Sequence, residues 1–85
     1  MTVTDTPRLN IKKLGELLKK ERIDRGITVN RLAGILMISP VAIYKWERGL
    51  SAPTLDNLIR IAFIMELSID DLLFQSSDGV LEDAQ

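Results

Sequence analysis

Cysteine and histidine are both missing from this 85-residue chain, and the two absences remove much chemistry. Without cysteine there is no disulfide framework, no thiol nucleophile and no thiolate ligand. Without histidine the most adaptable general base and the commonest metal ligand are gone. No apolar run approaches the ~18–20 residues of a membrane span. The polar start Met1–Arg8 does not read as a secretory signal. The expectation is a cytoplasmic protein that is not an enzyme, with no metal, no cofactor and no membrane partner.

What the chain does contain is ordinary globular material, 46% apolar and 27% charged. That suits one small domain. A domain near this size buries only about 60–65% of the surface its unfolded chain exposes, so the core is expected to be thin.

The net charge of −1 hides an asymmetry. Residues 1–50 hold ten Lys/Arg and five Asp/Glu, whereas residues 51–85 hold one Arg and seven Asp/Glu. The first half therefore carries +5 and the second −6. A basic half is equipped for an anionic partner even in an acidic chain.

Helix punctuation recurs at short intervals, and no stretch alternates convincingly at period two. Asn10 to Arg25 predicts a first helix with Ile11, Leu14, Leu17 and Leu18 on one stripe, ended by Gly26. Thr28 is a cap for a second helix, with Val29, Leu32, Ala33 and Leu36 inward. Ser39-Pro40 is the clearest start signal, a capping hydroxyl followed by proline at the first helical position. That third helix is expected to stop at Gly49. Pro53-Thr54 announces a fourth, with Leu55, Leu58, Ile59, Ala62 and Met65 on one face. Ser68 followed by Asp71 resembles a capping box and opens a fifth, to about Phe74. Five short helices predict an all-α domain over residues 9–74. Residues 1–8 are expected to form a flexible lead-in and residues 75–85 an acidic, disordered tail.

The third helix divides into two sides at 100° per residue. Ile43, Trp46 and Glu47 share one, with Ala42 at its edge; Val41, Tyr44, Lys45 and Arg48 form the opposite stripe. A small apolar group, a phenol and two cations suit thymine methyls, base edges and phosphates. An ordinary solvated amphipathic face accounts for the same stripe. Trp46 reads as core because it lies beside Ile43. Lys12, Lys13, Lys19, Lys20 and Arg25 make the first helix basic, either as a solvated face or for long-range attraction to an anion.

The arrangement around that helix is more specific. Thr28-Val-Asn-Arg-Leu32-Ala33, a three-residue turn, Ser39-Pro40-Val-Ala-Ile43 and Trp46-Glu47-Arg48-Gly49 resemble the Cro/repressor-type (XRE-like) helix-turn-helix family. The likeness extends to Leu14-Gly15 and Arg22 upstream, and to Pro53, Leu58, Ala62, Leu67-Ser68 and Leu72-Leu73 downstream. It implies a compact five-helix, lambda-repressor-like fold whose third helix lies in the DNA major groove.

The resemblance assigns base-reading or nearby roles to Pro40, Val41, Ala42, Tyr44 and Lys45. Thr28 and Val29 at the second helix N-terminus, with Ser39 and Arg48, complete the implied DNA-binding set. It also implies a partly buried salt bridge between Arg22 and Glu47, and a homodimer on a pseudo-palindromic operator. Phe63 and Ile64 fall outside the inward face of the fourth helix, and Ile64, Ile69 and Phe74 are the expected interface residues. The chain departs from the family pattern at Val29, where Gln is common, and at Met37 and Glu66, where Gly is common. The loop Leu50-Ser51-Ala52 also lacks cations. The implied function is a sequence-specific double-stranded DNA-binding transcriptional regulator, a repressor. The alternative is a protein-interaction module of the same fold, antitoxin-like or an adaptor with its own protein partner.

Overall fold

Five helix starts coincide with five side-chain oxygens that accept from the first helical turn. The computed structural model describes residues 8–78 and contains α1 (Ile11–Asp24), α2 (Val29–Leu36), α3 (Pro40–Glu47), α4 (Leu55–Ile64) and α5 (Ile69–Gln75). Asn10 Oδ1 accepts from the N–H groups of Lys12 and Lys13, both at 3.0 Å. Thr28, Ser39, Thr54 and Ser68 cap α2 to α5 in the same way. Each oxygen satisfies a donor that the helix cannot satisfy itself, an effect of about 1 kcal/mol per cap.

The first four helices also end alike. A residue just past the helix adopts the left-handed conformation: Gly26, Met37, Gly49 and Glu66. The N–H groups of the following residues, Ile27, Ile38, Leu50 and Leu67, then reach back to the carbonyls of Arg22, Ala33, Lys45 and Ala62. This closes the last turn and satisfies its carbonyls. At Met37 (φ 59) and Glu66 (φ 56) a side chain occupies a conformation that costs a non-glycine residue about 1 kcal/mol.

The core draws on all five helices: Leu14 and Leu18 of α1, Leu32 and Leu36 of α2, Ile43 and Trp46 of α3, Leu58 and Ile61 of α4, and Leu72 of α5. On α4 the expected inward face is corrected. Ile61 is buried, while Leu55 and Ile59 are more than half exposed. Apolar residues surround most of this helix, so its periodicity fits two faces and packing selects one.

The expected boundaries also shift. Arg8–Leu9 forms β1, which pairs antiparallel with β2, Ser77–Asp78. This two-residue ladder is the one departure from the all-α expectation among the described residues. α5 runs to Gln75, and Ser76 is fully buried with its hydroxyl donating to the Leu72 carbonyl at 2.8 Å. The Asn10 N–H donates to the Ser76 carbonyl at 2.7 Å. Asp78 accepts from the Asn10 side-chain amide and from the Lys13 ammonium, each at 2.6 Å. Residues 75–78 are therefore docked on the start of α1, and Arg8 belongs with the domain. The rest of the expected lead-in and tail lies outside the described residues.

Candidate nucleic-acid interface

α3 is held as a rod with one side sealed. Ile43 and Trp46 are buried, Ala42 is half-buried, and Val41, Tyr44, Lys45 and Arg48 are exposed. The two sides therefore separate as the helical spacing requires. Val41 and Tyr44 are 57% and 52% exposed and so are free to meet a partner surface.

Two contacts set the angle of α3 on α1. The Arg22 guanidinium donates to Glu47 through Nε at 2.6 Å and Nη2 at 3.0 Å, a bidentate pair. Its remaining nitrogen donates to the Ile27 carbonyl at 2.9 Å. The side chains are 11% and 5% exposed, so the expected bridge is present and shielded from water. The hydrogen bond to Glu47 raises the pKa of Arg22 further, against the opposing effect of burial, so its charge is permanent.

Gly15 supplies the second contact. A Cβ at this position would stand 2.1 Å from the Trp46 carbonyl oxygen and 3.0 Å from the Glu47 carbonyl. Only a residue without a side chain lets α1 approach the end of α3 so closely. The sequence reading gave Gly15 no role; a glycine inside an otherwise regular helix is the signal that marks it.

The helix N-termini differ in what they leave free. At α3, Pro40 has no N–H, Val41 N–H is taken by Ser39 Oγ at 3.1 Å, and Ala42 N–H by the Ser39 carbonyl at 3.0 Å. At α2, Thr28 Oγ takes the Arg31 N–H at 3.0 Å, so Val29 and Asn30 keep first-turn N–H groups without intrahelical partners. Ser39 and Pro40 are thus positioned as a cap. The Val29 side chain is 7% exposed and lies in the core, on the inward face of α2. Only its backbone N–H faces outward chemistry.

The cations also sort themselves. On α1, Lys13 pairs with Asp78, Lys20 with Asp24, Arg22 with Glu47 and Arg25 with Glu21. Among the described residues, Arg8, Lys12, Lys19, Arg31, Lys45 and Arg48 are in no ion pair. Four of the six cations of α1 and its C-cap are thus engaged, leaving Lys12 and Lys19, whereas all the cations of α2 and α3 are available. Arg31, in the first turn of α2 beside Thr28, was not singled out from the sequence. Its place three residues after a capping threonine is the signal that finds it.

Ile64 and Ile69 are half-buried against the core, and only Phe74 stands out, at 63% exposure. Among the described residues no cluster of His, Cys, Asp and Glu offers a metal site, and no helix is long and apolar enough to cross a membrane.

A capped α2, a left-handed turn at Met37 and an α3 with one exposed stripe make a helix-turn-helix unit, and the helix-turn-helix family model matches residues 18–72. The chain belongs to this family. The helix-turn-helix chain is 35% identical over 65 residues to the HTH-type transcriptional regulator DicA of Escherichia coli, covering 76% of this chain and 48% of that protein. It is 37% identical over 60 residues to the cryptic phage CTXphi transcriptional repressor RstR of Vibrio cholerae, covering 71% of this chain and 54% of that one. It thus spans about half the length of these curated relatives. The crystal structure of the clp gene regulator ClgR from C. glutamicum superposes with a TM-score of 0.70 at 28% identity, covering 81% of this chain and 90% of that one.

Proposed function

We propose that this helix-turn-helix protein is a transcriptional regulator that binds double-stranded DNA sequence-specifically, with α3 in the major groove, and that it acts in the cytoplasm as a repressor without enzymatic activity. The observation that carries this reading is the sorting of charge. Lys45 and Arg48 are unpaired beside an exposed valine and phenol, on a helix clamped through Glu47 and Gly15. The first-turn N–H groups of Val29 and Asn30, with Arg31 and Thr28 beside them, suit a phosphate. α3 acts through side chains because its own N-terminal donors are consumed. A two-fold dimer on a pseudo-palindrome, with half-site centres about 10 bp apart, lets both recognition helices dock equivalently. Occupying such a site is sufficient for repression, and the relatives include a protein named as a repressor.

Selection of bound sequences from random duplexes, followed by titration of two variants, tests the reading. Val41 offers no hydrogen bond, so its preference comes from contact with a thymine methyl. Val41→Ser is expected to relax selection at one base pair without altering the salt dependence. Lys45 is assigned to a guanine, and Lys45→Ala is expected to cost about 1–3 kcal/mol concentrated at one position. A uniform loss with a log–log salt slope smaller by about one unit would move Lys45 to a phosphate. If neither substitution alters affinity or selection, α3 is not the reading surface.

A further inference from the structure

The first turn of α1 divides two neighbouring lysines between two surfaces. Lys13 turns to the ladder, where Asp78 engages it at 2.6 Å. Lys12, about 100° away around the helix, lies instead against the end of α3. A Cβ on Gly49 would stand 3.0 Å from Lys12 Cα, 3.2 Å from its Cβ and 3.5 Å from its Cγ. The stem of Lys12 therefore runs across Gly49, the left-handed residue (φ 73) just past α3. Lys12 is exposed, and among the described residues it is in no ion pair. Even Glu16, one turn along the same helix, is not paired with it.

We propose that Lys12 positions the protein on DNA by taking a backbone phosphate at the edge of the major groove, beside the end of α3. The inference rests on the docking of α3 proposed above. Pro40–Glu47 is eight residues, about 12 Å of helix, and the major groove is about 12 Å wide. A helix that reads base edges with Val41 and Lys45 therefore brings the residues after Glu47 to the groove wall. That wall is sugar and phosphate.

The residues that reach the wall are short of charge. Arg48 is followed by Gly49 and by Leu50-Ser51-Ala52, which holds no cation and exposes Leu50. Lys12 fills that gap from another helix. Its Cγ already lies over Gly49, and only Cδ and Cε separate it from the ammonium, which puts a phosphate at this loop within reach. The ammonium is also what this turn has to offer an anion, because Asn10 Oδ1 takes the N–H groups of both Lys12 and Lys13. A phosphate contact of this kind fixes register and orientation and carries no sequence information.

Titration of the full chain against selected and random duplexes over a range of salt is the test. One phosphate contact contributes about 0.9 to the log–log salt slope, about eightfold in affinity at 0.1 M salt. Lys12→Gln is expected to lower the slope by about that amount on both kinds of duplex, with the melting temperature unchanged. Lys12→Arg is expected to keep the slope. Lys20→Gln removes the same charge from the same helix, at a lysine already paired with Asp24, and is expected to leave the slope as it was. A series of duplexes, each with one phosphate replaced by a methylphosphonate, then locates the contact. At one position the replacement is expected to weaken the unmodified protein about eightfold and to leave Lys12→Gln unaffected. An unchanged slope for Lys12→Gln, or an equal loss for Lys20→Gln, would overturn the proposal and leave the reading of α3 standing. An unmodified protein that binds no duplex would overturn that reading and this proposal together.

Discussion

Replacing Arg22 by alanine removes three hydrogen bonds at once: two to Glu47 and one to the Ile27 carbonyl. The remaining Glu47 carboxylate, 5% exposed, then lacks its counter-charge in a site that water reaches poorly. Breaking a shielded ion pair from one side costs about 3–5 kcal/mol, because an uncompensated charge is left behind. Some of the vacated volume admits water, which favours the lower end, about 3 kcal/mol. A domain of this length has a total stability of about 4–13 kcal/mol, so the loss is a large fraction of it. At about 4–8 °C per kcal/mol, the melting temperature is expected to fall by about 12–24 °C. Thermal unfolding followed by circular dichroism, with urea titration for the free energy, measures this. Arg22→Met combined with Glu47→Leu removes both charges and is expected to cost less than Arg22→Ala alone. A fall below about 4 °C for Arg22→Ala, or a double variant whose cost equals the sum of the single ones, would refute the reasoning.

Gly15→Ala drives a methyl into the Trp46 and Glu47 backbone, which cannot step aside as a side chain would. It is expected to cost at least about 2–3 kcal/mol and to weaken DNA binding by shifting α3, both checked by melting and titration. Met37 is 86% exposed and left-handed, so Met37→Gly relieves strain without losing packing. After the added freedom of the unfolded chain, a net gain of about 0.5 kcal/mol in urea unfolding is expected. Removing residues 76–85 deletes the buried Ser76 and the ladder, and is expected to destabilise the domain by about 1–3 kcal/mol; ending the chain after Asp78 retains those contacts. The hydrogen bonds from Lys13 and then Asn10 hold the Asp78 carboxyl below the ordinary carboxylate range. Its contribution is therefore present above that range and lost as pH falls through the lowered value, as an NMR titration of this carboxyl would record.

Much of the fold was legible because it is written in short-range patterns. Asn10, Thr28, Ser39, Thr54 and Ser68 precede their helices by one residue, and a cap needs only its own oxygen and the next turn's N–H groups. The two sides of α3 follow from helical spacing alone, since Ser39-Pro40 sets its start and each later residue turns by 100°. The left-handed strain at Met37 and Glu66 was likewise readable, from residues standing where a glycine is usual. What tertiary structure decided depends on partners far along the chain. α4 is apolar on most sides, so the choice of Ile61 over Leu55 and Ile59 awaited the helices it packs against. The ladder joins Arg8–Leu9 to Ser77–Asp78, and two residues are too few to show a period. The engagement of Arg22 and Lys13 became visible only once the fold had brought the remote acids Glu47 and Asp78 to them, whereas Lys45 and Arg48 were already legible on the outer stripe of α3. Spacing sets which side of a helix a residue occupies; the packing of the other helices sets whether that side meets protein or solvent.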